Sequence, residues 1–345
     1  MARALALAEK GLNTATPNPR VGCVLAQGET AVGEGWHEKA GAPHAEVLAI
    51  HEAGRKAAGA TLYVTLEPCN HHGRTPPCTE LILKSGVKRV VAAVADPNRE
   101  SAHGGQTLSA KGVSYQDGLM AEEARELNIG FFSRMRRGRP WVRMKIAATL
   151  DGRTALADGR SQWITGAEAR KDGHRWRARA CAILTGIGTV KADDPRLTVR
   201  EIETPRQPLR VVVDSRLEIP ESAKILEGGS ALIFCGVEPK RDLKAEIRRL
   251  PNPQGKVDLP KMLEELARRG VNELHVEAGF RLNGSLVREG CVDEFLVYLN
   301  PSFLGEEAQG MLLLPAFSSL ENRIKTRIES LERIGDDIRI LARPA

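Results

Sequence analysis

The sequence predicts an α/β protein built as two sheet-centred domains, and three observations carry that expectation. Apolar or β-branched runs alternate with segments of helical period along the whole chain, which is the pattern of strands layered with helices. A length of 345 residues exceeds what one typical hydrophobic core serves. A basic, turn-rich stretch at 134–140, Arg-Met-Arg-Arg-Gly-Arg-Pro, interrupts the alternation and is the best boundary. The expected domains are therefore 1–139 and 140–345.

Residues 1–10 read as an amphipathic helix whose apolar core is too short for a secretory signal. Strands are expected at 21–25, 61–65 and 87–94, and helices at 45–53 and 78–85, with Gly54 and Gly86 as helix stops. Beyond the boundary, runs at 141–148, 182–185, 209–213, 231–234, 273–277, 295–299 and 337–341 read as the strands of a second sheet.

Composition narrows the function classes. Charged residues at 27% with 42% apolar content fit a globular chain and argue against disorder. No apolar run approaches the roughly 20 residues of a membrane helix, so a cytoplasmic protein with no membrane partner is expected. The net charge of +6 raises nucleic acid as a partner, yet aromatics at 4% offer few stacking platforms. The excess is also local. Four arginines of 134–139 carry that of the first half, and 170–179 holds five cations against one carboxylate. The charge thus reads as a linker plus a basic segment suited to a phosphorylated small molecule, with no nucleic acid. Six cysteines in a reducing compartment point to metal ligation or burial.

The most informative residues lie in the first half. His44-Ala45-Glu46 stands on or just before a helix, Pro68-Cys69 follows a strand, and Cys78 opens the next helix. Taken singly, His-x-Glu carries little and each cysteine reads as a small buried hydrophobe. Within one α/β unit they supply three soft or borderline ligands, which suits zinc with its fourth position open, a catalytic arrangement. Zinc lowers the pKa of water to about 7, and Glu46 is placed to shuttle that proton to a leaving amine, the chemistry of a hydrolytic deaminase. Glu67 is expected to support the ligands from behind or to be structural, and Cys23 to be a core residue. His71, His72, Arg74 and Lys84 are candidates for a substrate phosphate or a solvated loop.

His44-Ala45-Glu46 with Pro68-Cys69 resembles the zinc-dependent cytidine deaminase superfamily, which usually spaces its cysteines Cys-x-x-Cys. Here eight residues, Asn70-His-His-Gly-Arg-Thr-Pro-Pro77, separate the two. That insert is similar to the signature of the bifunctional riboflavin-biosynthesis deaminase/reductase family, as are Pro17-Asn-Pro-Arg-Val-Gly-Cys23 and, after the third expected strand, Asp96-Pro-Asn98. The segment 99–105 is less regular than the family pattern. The resemblance implies a cytidine-deaminase-like three-layer domain, one zinc ion per chain on His44, Cys69 and Cys78, and Glu46 as the catalytic proton shuttle.

In the second half the dinucleotide fingerprint fails, because Gly186-Ile-Gly188 is followed by Thr189-Val-Lys191. Loops at 185–189, 214–216 and 277–285 remain as candidates, since ligands gather at the carboxyl ends of strands. Residues 145–153, 161–165, 192–198 and Glu277-Ala-Gly279 are similar to the reductase half of the same family. That resemblance implies a dihydrofolate-reductase-like α/β fold using NADPH. It places Ala147, Trp163, Thr189, Asp193, Ser215 and the run Gly279, Phe280, Arg281, Leu282, Asn283, Gly284 and Ser285 against the cofactor. Ser161, Arg177, Leu197, Arg200 and Glu277 would contact substrate, with the two arginines suited to a ribose 5-phosphate. Ser215 and Arg216 are expected to select NADPH over NADH.

The expected function is deamination of 2,5-diamino-6-ribosylamino-4(3H)-pyrimidinone 5′-phosphate, followed by hydride reduction of its ribosyl side chain. Lys145, Asp151 and Glu277 are candidate proton donors, a reduction that takes its proton from solvent is the alternative, and a homo-oligomer is expected. The alternatives are a nucleobase or tRNA deaminase fused to an unrelated domain, and a nucleic-acid-binding protein with a structural zinc. The long cysteine gap and the reductase-like motifs oppose the first, and the open fourth ligand position opposes the second.

Overall fold

Strand–helix alternation in the first half builds a mixed five-stranded sheet. A computed structural model describes residues 1–72 and 76–345, and the chain divides into two units, Met1–Gly138 and Arg139–Ala345. The first unit runs α1 (Ala2–Glu9), β1 (Gly22–Gln27), β2 (Thr30–Trp36), α2 (Ala45–Ala53), β3 (Thr61–Val64), α3 (Cys78–Ser85), β4 (Arg89–Ala92), α4 (Gly104–Ala110), β5 (Ser114–Gln116), α5 (Ala121–Leu127) and α6 (Ile129–Arg137). Its sheet order is β2-β1-β3-β4-β5, antiparallel across β2, β1 and β3 and parallel from β3 to β5.

Glycines let the helices lie directly on this sheet. A Cβ on Gly22 would stand 2.0 Å from the Ala4 carbonyl oxygen of α1, and one on Gly35 would stand 2.4 Å from the Ala45 oxygen of α2. In register, Gly35 faces Cys23 while Gly22 faces Trp36. Successive strand residues point to opposite faces, so α1 and α2 cover opposite sides and three layers result. Strand β2 escapes the periodicity because Gly33 and Gly35 stand where apolar side chains would mark it. Cys23 is fully buried in the core, as expected.

Two expectations are corrected here. The strand at 87–94 is confined to β4, and the arginine-rich stretch is helical as far as Arg137, ending at Gly138 in the left-handed conformation. Arg136 and Arg134 lie over the rings of Phe132 and Phe131, so that apolar face holds a helix that the basic composition hides.

The second unit continues with β6 (Trp141–Thr149), β7 (Arg153–Ala155), α7 (Ala167–Arg179), β8 (Ala182–Gly186), α8 (Ile187–Asp193), β9 (Leu209–Val213), β10 (Ala231–Cys235), β11 (Glu246–Arg249), α9 (Leu259–Arg268), β12 (Glu273–Val276), α10 (Phe280–Arg288), β13 (Glu294–Asn300), β14 (Gln309–Gly310), β15 (Thr326–Ile334) and β16 (Asp337–Pro344). Nine strands form one sheet in the order β11-β10-β9-β8-β12-β6-β13-β16-β15, parallel through β13 and antiparallel beyond it. All seven expected strands are present. The missed strands β7, β11, β14 and β15 are short or charged, and an edge strand such as β15 carries charges that mask its period.

Two of the expected loops are also corrected. β8 runs straight into α8, and Phe280 opens α10, so Phe280 through Ser285 are helical. Asp214 to Arg216 do form a turn, with the Leu217 N–H donating to the Asp214 carbonyl.

At the sheet centre Arg143 of β6 is buried between two carboxylates. Its Nη1 lies 3.0 Å from Glu273, and its Nε donates to Glu294, the residue opposite it on β13. Arg179 and Arg343 reach the same carboxylates at 2.7 and 3.0 Å, and the Arg143 guanidinium lies 4.4 Å from the Trp176 ring centre. Removing one partner of a buried pair costs about 3–5 kcal/mol, since its counter-charge stays buried. Arg143→Met is expected to lower unfolding stability by about that amount, read as a fall in the urea midpoint by tryptophan fluorescence.

Candidate metal centre and ligand cleft

The ends of three segments bring the expected metal ligands together. His44 is the residue before α2, Cys69 follows β3 in a turn, and Cys78 is the first residue of α3. The His44 Nδ1 is 3.3 Å from the Cys78 Sγ and 3.6 Å from the Cys69 Sγ, and all three donor atoms lie within 4.8 Å of one another. Tetrahedral zinc with bonds of about 2.0–2.3 Å needs donor atoms about 3.5–3.8 Å apart, so these residues fit the ion. They are the one such His/Cys/Asp/Glu group found among the described residues.

The electrostatics favour the same chemistry. The Cys78 N–H at the head of α3 donates to the Cys69 Sγ at 3.4 Å, and a helix N-terminus stabilises a thiolate. Cys69 is drawn down to about 4, chiefly by its hydrogen bond with the Cys78 thiol, while that partnership and burial push Cys78 up. Glu46, in the first turn of α2, is almost wholly buried beside Cys78. Burial raises its carboxyl more than the His44 charge lowers it. The His37 ring packs edge-on against His44 at 5.4 Å and is held by Asn18 and the Pro43 carbonyl. Sequence reading missed His37, although Asn18 lay within a quoted motif.

The other first-half candidates separate. Glu67 accepts the N–H groups of Asp96 and Gly105, so it is structural, as expected. A Cβ on Gly104 would stand 1.9 Å from the Pro68 carbonyl oxygen, so 99–105 packs directly on the Pro68-Cys69 turn. Lys84 and His72 face Glu80 on the surface, the His71 Nδ1 is buried with no partner among the described residues, and Arg74 lies outside them.

In the second unit the carboxyl ends of β8, β9 and β12 open onto a cleft of about 1580 Å³. Ala147, Trp163, Thr189, Asp193 and Ser215 line it, as do Gly279, Phe280, Arg281, Leu282, Asn283 and Ser285. Gly284 does not. It faces the Leu313 backbone, where a Cβ would stand 2.1 Å from the carbonyl oxygen, so its role is close packing of α10. Ser161, Arg177, Leu197, Arg200 and Glu277 line the same cleft, together with Lys145 and His174.

The cleft floor is electrostatically organised. Arg177 grips Glu277 with both arms, at 2.5 and 2.8 Å, and donates to the Thr198 carbonyl. Its fork is therefore spent on protein, whereas the more exposed Arg200 has only a distant contact with Glu201 at 3.8 Å. His174 is drawn down to about 4 by burial and by Arg177 and Arg200, and it accepts the Arg200 N–H. Burial lowers Lys145, an effect Glu277 partly offsets. Asp151 instead accepts the Thr149 hydroxyl and the N–H groups of Leu304 and Gly305, fixing a turn outside the cleft lining.

Comparison with known proteins settles the family. The RibD C-terminal domain model matches residues 140–340, and the cytidine and deoxycytidylate deaminase zinc-binding region model matches 1–94. The riboflavin biosynthesis protein RibD of Escherichia coli (strain K12) is 44% identical over 98% of this chain and 96% of its own. The chain belongs to the RibD family. The solved structure of Acinetobacter baumannii RibD is 39% identical with a TM-score of 0.92, covering 100% of this chain and 97% of that one. A Thermotoga maritima structure described as a diaminohydroxyphosphoribosylaminopyrimidine deaminase/5-amino-6-(5-phosphoribosylamino)uracil reductase is 33% identical with a TM-score of 0.91, at the same coverages. The chain is thus a bifunctional deaminase/reductase of riboflavin biosynthesis whose cofactors are zinc and NADPH. A deaminase fused to an unrelated domain is excluded, because the second half matches the reductase model of the same family.

The Arg177–Glu277 pair has a consequence for stability. Burial alone would raise Glu277, but the Arg177 guanidinium holds it well below its usual value. Its contribution to stability is complete above the unfolded value of about 4.3 and is lost as pH falls towards the lower folded value. Stability measured between about pH 4 and pH 2 should therefore fall less steeply in Glu277→Gln than in the parent.

Proposed function

We propose that residues 1–139 carry the deaminase and 140–345 the reductase, acting in turn on 2,5-diamino-6-ribosylamino-4(3H)-pyrimidinone 5′-phosphate. The observation that carries the first assignment is the convergence of His44, Cys69 and Cys78 around the buried Glu46. His44, Cys69 and Cys78 hold zinc, which when bound supplies Lewis-acid activation of water. Glu46 takes a proton from the attacking water and delivers it to the departing amine, so ammonia leaves and a ring carbonyl replaces it. Burial suits this role, because a carboxyl raised towards neutrality both accepts and releases a proton.

In the second unit NADPH supplies the hydride that reduces C1′ of the opened ribose. Gly279, Arg281 and Thr189 hold the dinucleotide where strand ends and helix starts meet, and Arg200 holds the 5′-phosphate. Arg177 orients Glu277. Of the three candidate proton donors, Asp151 is spent on a turn and Glu277 stays ionised. Lys145, buried and lowered in pKa, is the group that gives a proton to the ring-opened sugar oxygen.

The chain acts in the cytoplasm as a homo-oligomer. No helix among the described residues is long and apolar enough to cross a membrane. Ile328 and Leu331 on the edge strand β15 stay about 60% exposed, which supports burial against a further copy.

Glu46→Gln is expected to reduce deamination by a factor of about 10² or more while zinc content stays at one per chain. NADPH oxidation on the deaminated substrate should persist. Loss of that second activity, or of the metal, would refute the assigned role. Chelation should give the same split: release of ammonia stops, while reduction of the deaminated substrate continues. A chelator that stopped both would contradict the division of labour.

A further inference from the structure

The cleft cations differ in whether a carboxylate already answers them, and beside the turn that bears Ser215 the difference leaves one lysine. Arg216, expected to read the 2′-phosphate of NADPH, lies 2.8 Å from Glu218, whose other oxygen is 2.5 Å from Lys191. Lys224 is paired with Asp194 at 3.2 Å, and Arg196 with Glu227. Lys256 also lines the cleft, yet among the described residues it makes no ion pair within 4 Å, although Glu289 feels its charge.

Lys256 is held at a defined place. The Val257 N–H donates to the Ser215 Oγ at 3.1 Å, and the Gly236 N–H donates to the Ser215 carbonyl at 2.9 Å. A Cβ on Gly236 would stand 2.1 Å from the Gly255 oxygen and 3.2 Å from the Ser215 carbonyl oxygen, so this loop packs directly on the residue after β10, beside the turn after β9. The Lys256 N–H and carbonyl are both bonded to Asn252, which closes the loop at its other end.

Position along the sheet assigns the ligand group. Lys145 on β6 and Glu277 after β12 mark the proposed place of reduction, so the hydride-donating end of the dinucleotide would be held near those strands. Counting β6-β12-β8-β9, the turn bearing Ser215 lies three strand spacings away, or roughly 14 Å. That separation suits the adenosine end of an extended dinucleotide. The Ser215 hydroxyl accepts from Val257, which leaves its own O–H as a donor towards the cleft.

We propose that Lys256, with the Ser215 hydroxyl, binds the 2′-phosphate and selects NADPH over NADH, whereas Arg216 is held on Glu218. This rests on the NADPH reading above. A lysine is a point charge for phosphate and needs no fixed fork, so the geometry asks only for an uncompensated ammonium at that place.

Calorimetric binding to the full-length zinc-loaded protein tests it without turnover. The ligands are 2′,5′-ADP, 5′-AMP, NADP⁺ and NAD⁺. Lys256→Gln is expected to weaken 2′,5′-ADP and NADP⁺ by about tenfold and to change 5′-AMP and NAD⁺ by less than about twofold. Lys256→Arg should restore most of the preference, and Arg216→Gln should shift it by less than about threefold. Retention of the full preference in Lys256→Gln would overturn the proposal while leaving the cofactor reading intact. Equal weakening of all four ligands, or a larger loss in Arg216→Gln, would also overturn it. A parent protein with no preference for the 2′-phosphorylated ligands would remove both the proposal and the cofactor reading.

Discussion

A charge taken out of water has to be answered where it is buried, and that constraint shapes both halves of this protein. Arg143 is tolerated at the centre of a nine-stranded sheet because Glu273 and Glu294 stand on the neighbouring strands. Arg179 and Arg343 then overcompensate the two carboxylates, and the face of Trp176 takes up part of the excess from Arg143, Arg179 and Arg339. In the cleft the same requirement fixes Arg177 on Glu277, and Glu277 in turn lies 3.4 Å from His275, which is wholly buried. In the first unit the compensation is incomplete by protein groups alone. Two thiols, an imidazole and a carboxyl converge with one amide and a hydrogen-bond network between them, a set of groups that a divalent cation would complete.

Precision at both sites follows from where strands end and helices begin. His44 and Cys78 occupy helix starts, so their side chains are set by α2 and α3, and Cys69 is set by β3. The glycines of β2 fix the depth of α2 on the sheet and so the height of His44 and Glu46. In the second unit Gly186 and Gly279 pass from strand directly into helix or its first turn, which brings backbone N–H groups to the cleft without a long loop. Gly284 serves the same end from behind, since α10 can press on the Leu313 backbone there.

Much of this was legible in the sequence, for physical reasons that also explain what was not. His44, Glu46, Cys69 and Cys78 were readable because metal chemistry restricts both residue type and order, so four residues carry more information than their number implies. The central parallel strands were readable because burial on both faces makes them continuous apolar runs, whereas the parallel edge strands β5 and β11 lack such runs. Strand β2 was hidden by Gly33 and Gly35, which exist for the sake of α2. The helix at Ile129–Arg137 was hidden by arginines that cover its solvent side. Helix α10 was read as a loop because Gly279 and Gly284 suggested turns, yet the first is the residue before the helix and the second a packing contact. His37 was missed because nothing beside it in the sequence marks it, and His174 because the cations of 170–179 around it mark the segment by charge alone. Each matters only through what the fold sets beside it.

The arginines expected to bind phosphate show why residue type alone cannot assign a role. Arg177 and Arg200 stand in one basic neighbourhood, but the first is committed to Glu277 and Thr198 while the second has, among the described residues, only the Glu201 carboxylate at 3.8 Å. A guanidinium already held bidentately must break two charge-assisted hydrogen bonds before it can take a phosphate, and it would leave Glu277 ionised and unpaired in a buried place. An open guanidinium on the cleft wall carries neither cost. The division would serve the proposed reaction, because Arg177, neutralised by Glu277, keeps the floor of the site rigid while Arg200 is left open on the cleft wall. The cleft thus offers an anion the cations it has left uncompensated and builds its shape with those it has neutralised.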